Sequence, residues 1–393
     1  MKKILILANS SSGLYEFRQE LIEALRTEYT IFASLPDRDM VEELEKLRCH
    51  VFHTEMSRRG MNPIEDLKLL REYMRIIREV KPSVVLTYTI KPNVYGGLAC
   101  QICKVPYLAN ITGLGSALEN GGWLQKVALF LYRIGLKKAD TVYLQNTYNE
   151  AFVIEHHMAD QAKKVLLPGS GVNLKRFPVL PFPVPKLQEE LPPWGLDEEE
   201  LAKWKAEQPE IWEDNTGFIF ISRIMREKGI DQFLEMAENI KKRYSDTEFM
   251  ILGACDEEYL DRIKALGKQG IVRYYGKVKD VRRYIARCQC LVHPSFYSEG
   301  ISNVCLEAAA SGRMVITTDH PGCRETVEDG KTGYLIPIQD SGKLIAAAEK
   351  VLAMTKEERQ QMGLAGRTKV EKEFNRQIVV GEYKKEIDRL CRM

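Results

Sequence analysis

The sequence has no apolar run of 18 residues, the length at which a helix begins to cross a bilayer, so no segment reads as a membrane-spanning helix. It also has little net charge: 57 Lys and Arg against 55 Asp and Glu leave a formal +2. A dedicated nucleic-acid binder normally shows its electrostatic footprint in that total, so no nucleic-acid partner is expected. Metal-ligand spacing is missing as well. Nine cysteines are scattered along 393 residues, and the close pairs Cys100/Cys103 and Cys288/Cys290 lack a second pair or histidine cluster at zinc spacing. Such a set reads as reduced thiols in a cytoplasmic protein. Gly-x-Gly-x-x-Gly does not follow the first strand, which argues against a nucleotide-dependent dehydrogenase. No short-period repeat is present. Met1-Lys2-Lys3 and the apolar Ile4–Ala8 resemble the start of a signal peptide. That apolar stretch is too short and runs into Asn9-Ser10-Ser11-Ser12, so it reads as a buried first strand.

What the chain does have is alternation. Short apolar segments such as Lys3–Ala8, Tyr29–Ser34, Val84–Tyr88 and Tyr107–Ile111 alternate with amphipathic ones such as Tyr15–Thr27, Ile64–Glu79 and Leu124–Lys137. This predicts a parallel sheet wrapped by helices on both faces. Six prolines between Pro178 and Pro193, then Asp197-Glu198-Glu199-Glu200, interrupt the pattern. They read as an inter-domain linker carrying a short acidic helix near Glu198–Glu207. A second alternating block follows, including Phe218–Ser222, Gly229–Lys242, Glu248–Leu252, Cys290–His293 and Asn303–Ser311, and the tail Glu357–Leu390 is strongly helical. The expected architecture is α/β, with two Rossmann-like doubly wound domains facing a central cleft. Residues 1–177 form the first domain, 178–213 the Pro-rich acidic linker and 214–375 the second domain. Residues 376–393 are a C-terminal helix, a candidate to pack back on the first domain.

The stretch from Ser298 to Gly312 carries the most chemistry. Gly300 permits a tight turn beside Glu299, and Ser302 or Asn303 can cap the helix that follows. A helix N-terminus offers unpaired N–H groups and a positive dipole end, which favour a phosphate. Glu307, a turn inside, can accept hydrogen bonds from a pair of sugar hydroxyls; a capped helix with a surface Glu fits the same pattern. Arg223 directly follows the strand Phe218–Ser222, and Lys228 precedes Gly229. Both cations therefore lie at the carboxyl edge of the sheet, where a diphosphate would sit, although solvated surface charge reads alike. His293, at a strand end, is a further cleft candidate.

These residues bear a family resemblance. Phe220-Ile221-Ser222-Arg223 with Glu227-Lys228-Gly229 resembles the phosphate-binding strand end of GT-B glycosyltransferases, specifically the retaining family 4. Glu299 and Glu307 match its Glu-x7-Glu motif, and Gly276-Lys277-Val278 matches its base-contact position. The stretches Gly312–Thr318, Pro321–Glu325 and Gly330–Leu335 resemble its C-terminal signature. In the first half, Tyr88–Gly96, Ile111-Thr112-Gly113-Leu114-Gly115 and Phe17-Arg18 are similar to the bacterial subgroup acting on polyprenyl-diphosphate-linked sugars in capsule, O-antigen and N-glycan precursor synthesis.

The resemblance implies a UDP-sugar donor, retention of anomeric configuration, no metal and no covalent cofactor. It implies that Arg223 and Lys228 stabilise the leaving diphosphate, that Glu299 holds the donor sugar and that Glu307 binds the ribose. Val278 would contact the base. Backbone at Gly300, Ile301, Ser302 and Asn303 would meet phosphate and sugar, and Gly13, in the loop after the first strand, would let backbone approach the diphosphate. Lys91, Thr112 and Gly113 are the acceptor-side candidates. Two departures stand out: Ser11-Ser12-Gly13 replaces a Gly-Gly pair in the first loop, and Thr112 stands where many members carry His.

The expected activity is transfer of an N-acetylhexosamine or hexose to a polyprenyl-diphosphate-linked saccharide. A UDP-sugar 2-epimerase shares the architecture, but no acid/base constellation across the cleft is evident. An inert sugar-nucleotide-binding protein is the other alternative. Lys and Arg outnumber Asp and Glu 24 to 19 over residues 1–180. There, Trp123–Lys138 mixes aromatics with cations at helical spacing, and Arg58, Arg59, Arg71, Arg75, Arg78 and Lys81 add positive charge. The corresponding expectation is peripheral attachment to an anionic membrane surface, on the inner face of the cell membrane.

Overall fold

The first strand, β1 (Lys2–Leu7), sends its side chains alternately into two apolar layers: Ile4 and Ile6 into one, Leu5 and Leu7 into the other. A strand apolar on both faces fits only inside a sheet covered on both sides. In the computed structural model of the chain, residues 1–57, 62–115, 118, 121–180, 217–255, 257–278 and 280–392 are described. Most of the expected linker and its acidic helix, and Arg58-Arg59, lie outside them. By internal contacts, one unit comprises Met1–Gly171, Ser298–Ile301 and Arg376–Met393, the other Val172–Tyr297 and Ser302–Asn375.

In the first unit β1 is followed by α1 (Ser11–Leu25), β2 (Tyr29–Leu35), α2 (Val41–Lys46), β3 (Cys49–His53), α3 (Pro63–Val80) and β4 (Val84–Tyr88). Then come α4 (Gly97–Cys103), β5 (Tyr107–Ile111), α5 (Gly122–Leu136), β6 (Thr141–Leu144), α6 (Thr147–Glu155) and β7 (Lys163–Leu166). The seven strands are parallel in the order β3-β2-β1-β4-β5-β6-β7, so the winding reverses between β1 and β4. Most strands match the sequence reading within a residue or two. β7 does not, because Lys163-Lys164-Val165-Leu166 has no apolar alternation; pairing with β6 makes it a strand, and lysines suit a sheet edge.

α1 starts at Ser11 rather than Tyr15, because the Ser10 hydroxyl caps it by accepting the Gly13 N–H at 3.3 Å. Gly13 therefore sits in the first turn of a helix, not in a loop, which corrects its expected place. The helical tail is two helices, separated at Phe374 and Asn375.

The second unit contains β8 (Gly217–Ile221), α7 (Ile230–Arg243), β9 (Glu248–Leu252), α8 (Glu257–Lys268), β10 (Arg273–Tyr274), α9 (Arg282–Ile285) and β11 (Cys290–His293). It continues with α10 (Asn303–Ala310), β12 (Met314–Thr318), β13 (Gly333–Ile336), α11 (Ser341–Ala353) and α12 (Lys356–Glu373). Its six parallel strands run β10-β9-β8-β11-β12-β13, with the reversal between β8 and β11. Phe218, Phe220, Phe233 and Phe249 centre its core. The last helix, α13 (Arg376–Arg392), packs Val379, Tyr383 and Ile387 into the layer of the first unit that holds Ile4 and Ile6. Its first residue, Arg376, bonds the Glu20 carboxylate at 3.0 Å and the carbonyls of Gly171 and Glu16.

Arg313 is 1% exposed, and its guanidinium donates to the carbonyls of Ile285, Ala286 and Leu180 at 3.2, 3.3 and 3.4 Å. Burial pulls its pKa down to about 10. Removing the guanidinium leaves these carbonyls short of a donor. Arg313→Met is therefore expected to cost about 2–4 kcal/mol, read as a lower midpoint in urea unfolding.

Candidate functional site

In a doubly wound sheet, ligands collect outside the carboxyl ends of the strands where the winding reverses. In the second unit that point lies between β8 and β11, and Arg223 and Lys228 lie in the exit loop of β8 there. Arg223 leaves the end of β8 and is exposed; Lys228 ends a 3-10 turn at Arg226–Lys228 and is 8% exposed. Gly229 follows with φ +76°, and a Cβ there would lie 2.1 Å from the Pro294 carbonyl oxygen, so only glycine allows this approach. Across it, the Phe296 N–H donates to the Glu227 carbonyl at 2.9 Å, joining the exit loop of β8 to that of β11.

Beyond β11 the chain turns into α10. Ser302 occupies its N-cap position but makes no side-chain capping bond, contrary to the sequence expectation. Its hydroxyl and the Asn303 side-chain oxygen are buried without a hydrogen-bond partner among the described residues. The Ser302 N–H donates to the Gly322 carbonyl at 2.7 Å, and Gly322 is in turn held by the Glu325 carboxylate at 2.8 Å. The helix N-terminus, where a positive dipole end favours anions, thus carries two buried oxygens with no partner among the described residues, groups that suit a phosphorylated sugar.

Glu307, half-buried and a turn inside α10, interacts electrostatically with Arg282. Burial lowers the Arg282 pKa, against the pull of Asp280, whose carboxylate accepts from its Nε at 3.1 Å. Val278 lies half-buried in the loop leading to these residues. His293 is 2% exposed within β11, its carbonyl accepting the Thr317 hydroxyl at 2.8 Å.

Glu299, Gly300 and Ile301 group with the first unit. Asn146 donates through Nδ2 to the carbonyls of Glu299 and Gly300 at 3.0 and 2.5 Å. A Cβ on Gly300 would meet the Gln145 side-chain oxygen at 2.0 Å and the Thr112 carbonyl at 2.4 Å, so this residue too must be glycine. Gly113 lies against the same loop, its hypothetical Cβ 3.5 Å from the Gly300 nitrogen. Thus the structure brings Thr112 and Gly113 together with Glu299 and Gly300. Lys91 is committed differently: its ammonium pairs with Asp66 at 2.8 Å, which also accepts the Tyr95 hydroxyl at 2.8 Å. Asp66 and Lys91 line a pocket of about 400 Å³ with Glu55, Met56, Ser57, Glu65, Lys68 and Leu69. Sequence reading did not find Arg282, Asn146 or Tyr297, since each acts through a partner distant in the chain.

Two Rossmann-like units, each with its winding reversal, make up the architecture of the GT-B glycosyltransferases. Solved structures agree on the fold: a glycosyltransferase from Rickettsia africae is 18% identical with a TM-score of 0.74, covering 99% of this chain and 98% of its own. Anabaena HepE in complex with UDP and glucose is 17% identical with a TM-score of 0.75, covering 99% and 100%. The Glycosyl transferase 4-like family matches residues 3–146, and Glycosyl transferases group 1 matches residues 215–354. The chain belongs to these glycosyltransferases. A Campylobacter jejuni relative, N,N'-diacetylbacillosaminyl-diphospho-undecaprenol alpha-1,3-N-acetylgalactosaminyltransferase, is 25% identical over 99% of both chains. The Staphylococcus aureus capsular polysaccharide biosynthesis glycosyltransferase CapM is 24% identical over 86% of this chain and 85% of its own.

Because Ser302 makes no capping bond, replacing it by Ala removes no helix-stabilising contact. Ser302→Ala is expected to leave the melting temperature within about 1 °C, where loss of a working cap costs about 1 kcal/mol, while weakening UDP binding in calorimetry.

Proposed function

We propose that this glycosyltransferase moves a sugar from a UDP-sugar to a polyprenyl-diphosphate-linked saccharide, with retention of anomeric configuration. The observation that carries the acceptor assignment is the end-to-end similarity to the Campylobacter jejuni enzyme, whose name specifies such an acceptor. The donor assignment is supported by Arg223, Lys228 and the N-terminus of α10 at one strand-end reversal.

As the sugar–phosphate bond breaks, negative charge builds on the departing diphosphate and positive character on the anomeric carbon. Cations and helix amides already in place stabilise that charge without reorganising, worth about 3–4 kcal/mol per key donor by analogy with oxyanion holes. The reading needs no metal ion, since Arg223 and Lys228 supply positive charge at the diphosphate. Glu307 accepts the ribose hydroxyls and Val278 packs on the base. Glu299 takes the donor sugar hydroxyls, beside backbone from Gly300 to Asn303. The acceptor hydroxyl attacks from the face the diphosphate leaves, and a departing phosphate oxygen takes its proton. Thr112 and Gly113 line the acceptor approach, and Lys91, oriented by Asp66, faces the saccharide.

We further propose that α5 attaches the protein to anionic lipid at the inner face of the cell membrane. Trp123, Lys126, Phe130, Arg133 and Lys137 are all exposed at three- and four-residue spacing, and α5 contains no acidic residue. Trp123 is 72% and Phe130 59% exposed, unusual for such large apolar groups. Aromatic rings at acyl-chain level with cations at the headgroups suit a helix lying in the interface. Among the described residues no helix is long and apolar enough to cross a membrane.

UDP release from a panel of UDP-sugars is expected only with a polyprenyl-diphosphate saccharide present, and the product should keep the donor's anomeric configuration by NMR. Sugar conversion without acceptor would establish an epimerase, and binding without turnover an inert protein. Glu307→Ala is expected to weaken UDP binding by about ten- to hundredfold, the value of hydrogen bonds to a charged group; unchanged affinity refutes the ribose role. Flotation with anionic vesicles at low salt should recover the wild type, and the Trp123→Asp, Phe130→Asp double variant should stay in solution with unchanged turnover on a short-chain acceptor.

A further inference from the structure

Arg223 and Lys228 share one aromatic ring. The Arg223 guanidinium carbon lies 5.8 Å and the Lys228 ammonium 4.6 Å from the centroid of Tyr297. Both distances fall within the range in which a cation is drawn to a ring face. The ring is placed by its own loop: the Tyr297 N–H donates to the Ser295 hydroxyl at 3.2 Å, which donates to the Glu227 carbonyl at 3.4 Å. With the Phe296–Glu227 bond, this ties the ring to the 3-10 turn that carries Lys228.

We propose that Tyr297 is a positioning residue for the diphosphate-binding cations. The inference rests on the assignment of Arg223 and Lys228 to the diphosphate. Two like charges beside one strand end repel each other, and both side chains are long and rotamer-rich. The face of an aromatic ring attracts both cations through its quadrupole. Tyr297 thus orients Arg223 and Lys228 at the strand end where the phosphate oxygens would bind. The ring face does this, not the hydroxyl.

The test uses the full chain and isothermal calorimetry with two probes, UDP and uridine. Tyr297→Leu, of similar bulk but without a ring face, is expected to weaken UDP binding about tenfold and leave uridine binding unchanged. Tyr297→Phe, which keeps the ring, is expected to stay within about twofold of the wild type for both. Equal loss of UDP and uridine in Tyr297→Leu would make Tyr297 a structural residue and overturn the proposal. So would a Tyr297→Phe as impaired as Tyr297→Leu, or UDP affinity untouched in Tyr297→Leu. Arg223→Ala separates the two levels. If it loses UDP binding while Tyr297→Leu does not, the positioning role alone fails; if it binds UDP normally, the diphosphate assignment fails and the inference with it.

Discussion

The approach of Gly229 to the Pro294 carbonyl is the constraint on which the second unit's site depends. With a hypothetical Cβ only 2.1 Å from that oxygen, the exit loop of β8 closes onto the exit loop of β11 where the winding reverses. This contact sets Lys228 at the end of its turn, brings the Glu227 carbonyl within reach of Phe296 and Ser295, and so places Tyr297 beside two cations. A bulkier residue at 229 would separate the loops and scatter the charges. Electrostatic preorganisation for a diphosphate is thus built from a steric allowance one methyl group in size.

A similar allowance governs the loop at Gly300. There the neighbours are the Gln145 side-chain oxygen and the Thr112 carbonyl, and Asn146 holds the loop through two backbone carbonyls. The loop carrying Glu299 is therefore held by main-chain geometry. The same economy appears at Ser302, where the N-cap position is filled but the cap bond is not made. Stability is given up at a helix end where a ligand can use the free groups, a pattern expected of functional sites.

Much of the architecture was legible in the sequence, because a strand buried on both faces must be apolar throughout. Val84–Tyr88, Tyr107–Ile111, Glu248–Leu252 and Cys290–His293 have the bounds their apolar runs suggest. The reading failed where local pattern is weak or overridden. β7 is a strand by pairing rather than composition, and α1 starts early through the Ser10 cap, which moved Gly13 into a helix.

By itself the sequence determined the fold class and the candidate residues Arg223, Lys228, Glu299 and Glu307, since hydrophobic periodicity and motif spacing are local properties of the chain. Only the tertiary structure decided that α13 packs into the layer containing Ile4 and Ile6, that Arg282 neighbours Glu307, and that Tyr297 serves two cations at once. Those pairings join residues far apart in the chain, and their partners are chosen by strand order and loop packing. No periodicity along the sequence records that choice.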